Sequence, residues 1–423
     1  VVVGATVVVG ATVVGAGVVG AGVVVGANVV VGAGVVVGAT VVLGAGDVGG
    51  SVGAVPGSSG PHEATATEAT RTATSRIDRT ERWTCMPDLL VTADLRRTCH
   101  PRTAERPDPR TGDVTDQTRS MPMVAPLDTD RILGPHVTVL VGEDGGRYPA
   151  GNTVHVAGSD GSLAIDPSLS LVRRGGAPLP VDRVLLTHVH EDHVAGASLF
   201  TDVPIAVHTA DLLGLHSLDG LMQIYGLPPE SSSVLREIVV RDFHYVERSD
   251  ATGLREGEVV DLGGVTATLV HLPGHTRGHS GFLIEPDGVL VLGDIDLSAF
   301  GPYYGDAWSD LDAFESSLRR ARGIDVPWYV TFHHRGVIDG VDDFRRRVDE
   351  FAAVIGDREH RMVEFLAEPR TLDDLVAHRF VYRPHVQLAW VESAERRSAE
   401  QSLVRLVAGG RVVEIEPGRY RSG

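Results

Sequence analysis

Val184-Leu185-Leu186-Thr187-His188-Val189-His190-Glu191-Asp192-His193 joins a short apolar run to three imidazoles and the Asp192 carboxylate, all within six residues. The apolar run reads as a buried strand, and a strand-to-loop junction is where a rigid sheet can hold side chains in fixed geometry. His-x-His in an extended or turn conformation aims two nitrogens at one metal, and Asp192-His193 can then serve a second metal nearby. Cys85 and Cys99 are the two cysteines, and neither lies near this cluster, so the ligands must be nitrogen and oxygen.

The chain of 423 residues is long enough for more than one domain and a large core. Its net charge of −18 argues against a protein that coats DNA, because phosphate binding needs a basic surface. All 38 basic residues are arginine, which points to a GC-rich coding sequence. No charged n-region with a small-residue cleavage pattern marks a signal peptide at Val1, so the cytoplasm is the expected compartment.

Residues 1–53 repeat units such as Val1-Val2-Val3-Gly4-Ala5-Thr6, with a period of mostly six that slips to five around 13–22. A β-solenoid would be broken by those slips. A membrane span is opposed by the density of Val and Gly and by the lack of basic anchors before the run. The segment is read as a low-complexity extension. Residues 54–125, rich in Thr, Arg, Pro, Asp and Glu, read as disordered linker. Met121 and Met123 precede the first globular texture, and the natural product is expected to start there.

A domain is expected over 126–340. Val137–Val141, Thr153–Ala157 and Ser162–Ile165 read as an antiparallel start, followed by strands at Val184–Leu186 and Ile205–Val207. Val194–Phe200 and Ala210–Leu218 read as helices, and 221–225 and 233–240 as helices of an insertion over the site. Glu258–Leu262, Thr266–His271, Gly281–Glu285 and Val289–Leu292 are four strands in quick succession. Helix Leu311–Arg322 and strand Trp328–Thr331 follow. This mixture favours a layered α/β (α+β) sandwich over a doubly wound sheet. In 341–423, Phe344, Val348, Phe351 and Ile355 recur at helical spacing, Thr371-Leu372-Asp373-Asp374 resembles a capping box, and Ser398–Ala408 is a helix before a hairpin about Glu416-Pro417. That order reads as a small winged-helix-like domain.

Other strand ends supply what a two-metal site needs: Asp166, the Pro273-Gly274-His275 turn, Asp294 after Val289–Leu292, and the pair His333-His334. On these motifs the chain resembles the metallo-β-lactamase fold superfamily over about residues 131 to 340. The resemblance implies an αββα sandwich with its metals at one edge between the sheets. It implies one metal held by His188, His190 and His275, another by Asp192, His193 and His334, and Asp294 bridging both. His334 is preferred to His333 because His334-Arg335-Gly336 aligns better with the family's last histidine and its following turn. Asp166, His279 and His333 are expected to support the ligands from behind. Two divalent ions are implied, with zinc suited to all-His/Asp ligation and iron or manganese as alternatives.

The implied chemistry is hydrolysis by a hydroxide held between two metals, with Asp192 and Asp294 as catalytic carboxylates. Departures narrow the choice. Cysteine-ligand β-lactamases need Cys where Asp294 stands, and flavodiiron reductases carry Glu where this chain has His190. A nuclease insertion cannot fit in the 40 positions from Asp294 to His334. A glyoxalase II-like ester or thioester hydrolase of small molecules remains, with a phosphodiesterase or endoribonuclease as competitor. A metal-stabilised winged-helix regulator of nucleic acid is a third reading. Residues 369–423 hold nine Arg against seven Asp plus Glu, too weakly basic for a nucleic-acid reader. The tail is expected to pack, to wall the site or to dimerise, and no membrane partner is expected for 121–423. Tyr303, Tyr304 and Trp308 are candidate substrate contacts.

Overall fold

The computed structural model describes residues 127–177 and 179–423, together with three short strands in the repeat. The chain divides into two compact units, Val1–Trp83 and Thr84–Gly423. In the first, β1 (Val13–Val14) pairs in parallel with β2 (Val29–Val31), which runs antiparallel to β3 (Gly34–Val36). The expected linker, both cysteines, Met121 and Met123 lie outside the described residues.

In the second unit, a seven-stranded sheet follows chain order: β4 (Arg131–Leu133), β5 (Val137–Leu140), β6 (Thr153–Ala157), β7 (Ser162–Ile165), β8 (Arg183–Leu185), β9 (Ile205–His208) and β10 (Thr252–Leu254). The first four are antiparallel, as short connections allow, and β7 to β10 are parallel. The parallel steps need long crossovers. These are α1 (Leu169–Arg174), the histidine loop with a 3-10 turn at Ala195–Leu199, and α2 (Leu213–His216), α3 (Leu218–Tyr225) and α4 (Pro229–Arg241). The helix expected over Ala210–Leu218 is interrupted at Ser217, whose hydroxyl instead caps α3 by accepting from the Gly220 N–H at 3.0 Å.

A six-stranded sheet comprises β11 (Val259–Asp261), β12 (Thr266–His271), β13 (Ser280–Glu285), β14 (Val289–Val291), β15 (Trp328–Val330) and β16 (Val337–Asp339). Only β14 and β15 are parallel, and α5 (Leu311–Arg322) fills their crossover. Asp310 caps α5 by accepting from the Ala313 N–H at 2.8 Å, and Leu311, Phe314, Leu318 and Ala321 bury one face.

Period-two alternation assembles the layers. Val154, Val156, Leu163, Ile165 and Leu185 meet Leu269, Phe282, Ile284 and Val291 between the sheets. The neighbouring Val184 and Leu186 point the other way, onto Leu215, Leu221 and Ile224 of the helices. Leu290, Leu292 and Tyr329 likewise pack outward on Phe314, Leu318 and Phe344. Truncating one of these core side chains, such as Phe282→Ala, costs about 3–5 kcal/mol. The product is an αββα sandwich.

The tail runs α6 (Val341–Phe365), β17 (Arg370–Thr371), α7 (Leu372–His378), α8 (Val391–Ala408), β18 (Val412–Glu416) and β19 (Arg419–Ser422), with strand order β17-β19-β18. Thr371 and Asp374 form a reciprocal capping box. Met362, Leu375, Phe380, Leu403 and Val412 make its core. α8 starts at Val391, ahead of the expected Ser398, because polar-looking Glu395 is buried: its carboxylate accepts the N–H groups of Phe380, Val381 and Tyr382. Among the described residues no helix is long and apolar enough to cross a membrane.

Candidate metal centre

The loop after β8 is held by Asp166, which closes β7 with φ +48°. Asp166 Oδ1 accepts the Thr187 N–H and Oδ2 accepts the Thr187 hydroxyl, both at 2.7 Å, and Oδ2 also lies 3.0 Å from His193 Nδ1. Gly293, at φ +55°, lets the chain pass this loop: a Cβ there would stand 2.7 Å from Thr187 Oγ1 and 2.8 Å from His279 Nε2. His279 accepts the Asp294 N–H at 3.1 Å on Nε2 and turns Nδ1 to the Leu272 carbonyl. Asp211 fixes the opposite turn, accepting the Thr276 hydroxyl and the Gly278 N–H.

Two groups of donors result: His188, His190, His275 and Asp294, and Asp192, His193 and His333. Asp294 lies between them. Its Oδ2 is 3.2 Å from His275 Nε2 and 4.0 Å from His188 Nε2, whereas Oδ1 is 2.9 Å from His193 Nε2 and 3.8 Å from His333 Nε2. His333 Nε2 is 2.8 Å from Asp192 Oδ2.

Four of the five imidazoles have an acceptor behind Nδ1, which fixes the nitrogen that carries the proton. His188 Nδ1 faces the Thr187 hydroxyl oxygen, His193 Nδ1 faces Asp166, His275 Nδ1 the Tyr303 carbonyl and His333 Nδ1 the Gly146 carbonyl. His190 instead brings Nε2 to 3.0 Å from Asp306 Oδ2, an ion-pair approach in which neither atom makes a hydrogen bond. The Nε2 lone pairs of the other four therefore converge on one another and on two carboxylates. His190 Nδ1 and His275 Nε2 are 2.9 Å apart, and buried His188 Nε2 has no hydrogen-bond partner. Such convergence is repulsive without positive charge between the groups, and these donors fit divalent cations.

The electrostatics agree. Burial opposes charge on His190 and His333, yet Asp306 lifts the first to about 9, and Asp192 with Asp294 lifts the second to about 9. Burial also opposes ionisation of Asp294, but His193, His275 and His333 hold it well below the usual carboxylate range. The pocket demands cations, whether protons or metals.

The structure corrects two expectations. His334 joins neither group: it adopts φ +57°, which turns its side chain out to solvent, and His333 takes the place inside. Tyr304 is 1% exposed and packed in the helical layer of the second sheet, away from the open face expected for it. Tyr303 is half-buried, donating its hydroxyl to Asp306 at 3.1 Å, and half-buried Trp308 lies under the Arg277 guanidinium. Asp166 and His279 stand behind the donors. Asp306, Glu191, Tyr148 and Tyr225 were not singled out from the sequence. Only Glu191 carried a signal, its place within the histidine stretch.

An αββα sandwich with paired imidazole–carboxylate groups at one edge between its sheets defines a class of metal-binding proteins. The family model of the Metallo-beta-lactamase superfamily matches residues 157–334 of the chain. The fold is also that of a metallo-beta-lactamase family protein from Thermus thermophilus, with a TM-score of 0.53, 23% identity, and coverage of 69% of this chain and 100% of that one. An acyl-coenzyme A thioesterase of Gallus gallus is 32% identical over 171 residues, 35% of this chain and 59% of the relative. A hydroxyacylglutathione hydrolase of Acidiphilium cryptum is 27% identical over 238 residues, 53% of this chain and 83% of the relative. The chain spans 40% of the length of mycobacterial relatives that are 38% identical over 98 residues.

Proposed function

We propose that the chain is a two-metal hydrolase of small-molecule thioesters. The observation that carries this reading is Asp294, with one carboxylate oxygen toward each group. Its side chain is 18% exposed while those of His188 and His193 are 0%, so the carboxylate lies at an open face rather than in a sealed structural site. When bound there, two divalent cations, zinc by preference for these donors, supply a water nucleophile at neutral pH and absorb negative charge on the scissile carbonyl.

The chain's own residues do the rest. His188, His190 and His275 would hold one cation and Asp192, His193 and His333 the other, with Asp294 facing both groups. His193 and His333, the latter with Nε2 2.8 Å from Asp192 Oδ2, outweigh burial and hold the Asp192 carboxyl below its usual range, so it stands ionised to accept the proton shed by the attacking water and pass it to the leaving thiolate. The relatives named for acyl-coenzyme A and hydroxyacylglutathione support a thioester over a carboxylic ester.

The phosphodiesterase reading is opposed by the tail. Read as a winged-helix-like module, it offers Glu400, Val404 and Val407 on the open face of α8. Arg396, Arg397 and Arg405 are engaged by Asp373, by the Tyr225 and Gly226 carbonyls, and by Glu315 with Glu359. A reader of phosphates keeps such arginines free.

The test is the full chain, loaded with zinc, on an acyl-coenzyme A, a glutathione thioester, p-nitrophenyl acetate and bis(p-nitrophenyl) phosphate. Thioester turnover is expected, falling by roughly 10³-fold in Asp294→Ala with the fold retained by circular dichroism. Turnover of the phosphodiester alone would overturn the reading.

A further inference from the structure

Glu191 lies between two donors of different groups, since His190 belongs to one and Asp192 to the other, yet it is part of neither. Its side chain is 7% exposed. Burying a carboxylate is costly unless its oxygens are bonded, and here they accept hydroxyl protons from Tyr148 at 3.0 Å and from Tyr225. The Glu191 N–H in turn donates to the Tyr225 oxygen at 3.1 Å. Both tyrosines touch donor rings. Tyr225 stacks on His190, with centroids 5.1 Å apart and planes at 16°, while Tyr148 stands edge-on to His333 at 6.1 Å. One carboxylate thus ties together rings that back a donor in each group. Apolar packing alone would be met at lower cost by a leucine.

The far end of this chain of contacts is in the tail. Tyr225 is the last residue of α3, and the Arg397 guanidinium of α8 donates to the carbonyls of Tyr225 and Gly226. Arg397 thereby caps the C-terminal end of α3, where cations are favoured.

We propose that Glu191, Tyr148 and Tyr225 form a brace that sets the spacing between the two cation sites, with Arg397 anchoring it from the tail. The inference rests on the two groups being a two-metal centre. Glu191 is a positioning residue, acting through His190 and His333 rather than on substrate.

Cobalt(II) titration of the metal-free full chain tests it, followed by absorption and by magnetic coupling in electron paramagnetic resonance. Wild type is expected to take two cobalt ions with a coupled signal. Glu191→Ala, and independently Tyr225→Phe, should weaken the second ion by about 10- to 100-fold and abolish or shift the coupling, with the first ion retained. Glu191→Gln, which keeps one acceptor oxygen, should recover part of the loss, and Arg397→Met should shift the spectrum in the same direction by less. Unchanged affinities and coupling in both Glu191→Ala and Tyr225→Phe overturn the brace while leaving the two-metal reading standing. So does an affinity loss that follows the fall in melting temperature without a spectral change. Fewer than two cobalt ions in wild type would overturn both.

Discussion

The two segments that supply the second group are held in opposite ways. In the 187–193 loop the grip is close at hand. Thr187 and Asp166 fix the backbone, and the same Asp166 carboxylate orients His193. In the 331–336 turn the grip comes from far away in the sequence. His333 Nδ1 is set by the Gly146 carbonyl, and the Phe332 carbonyl accepts from the Asn152 N–H at 2.9 Å. Phe332 itself stacks on His193, with centroids 3.6 Å apart. One half of the group is positioned by its own loop and the end of the neighbouring strand β7, the other by docking onto the β5–β6 connection. Geometry can be equally fixed while its determinants lie at very different sequence distances.

The largest expected effect separates the neighbours in the docked turn. His333→Ala should cost about 100-fold or more in affinity for the second metal, whereas His334→Ala, altering an exposed ring, should stay within about threefold. Calorimetric titration of both variants with zinc decides it. Equal losses would mean that the turn exchanges its two imidazoles and that docking does not fix it.

Asp166→Asn probes the locally held half. It keeps the shape but weakens acceptance from Thr187 and His193, and about a 10-fold loss in metal affinity is expected, with activity falling in parallel. Gly293→Ala attacks the place where the carboxylate strand end passes that loop. A left-handed residue and a 2.7 Å clash should lower stability by about 1–3 kcal/mol, read from the urea midpoint.

The smallest effect concerns an imidazole pair outside both donor groups. His208 stacks on His271 with centroids 3.9 Å apart, and burial followed by repulsion from His271 lowers His208 to about 4. The unfolded chain takes up this proton near 6.5, before the folded chain does. Stability is therefore full above that pH and declines as pH falls toward 4. Half-exposure and screening keep the contribution below about 1 kcal/mol. His208→Gln should lose less stability than wild type between about pH 7 and pH 5 in urea melts.

Legibility follows the same division. Short apolar runs set off by Gly and Asp marked β6, β7 and β12 to the residue, because each buries a face against the opposite sheet. Leu311–Arg322 was readable because Asp310 and Gly323 bracket an amphipathic run. The three-residue strands β4, β10 and β16 left no such pattern: β4 and β10 are the edges of one sheet and β16 an edge of the other. Among the donors, the histidine loop, His275 and Asp294 stood out as dense or strand-end residues. The choice between His333 and His334 depended on which residue adopts the left-handed conformation, and histidine tolerates either role. Asp306 is a lone aspartate in a glycine-rich loop, and only folding brings it to His190. Glu395 escaped notice for the same reason: it looks solvated in sequence and is a buried cap in space.

The clasp between the β5–β6 connection and the turn after β15 has a consequence for how the protein comes into being. A ribosome releases Gly146 and Asn152 long before His333, so the second cation has no complete seat until the last strands have docked onto the first. Metal retention then reports on assembly. A chain interrupted at either end of the domain keeps most of its histidines yet leaves the second donor group incomplete.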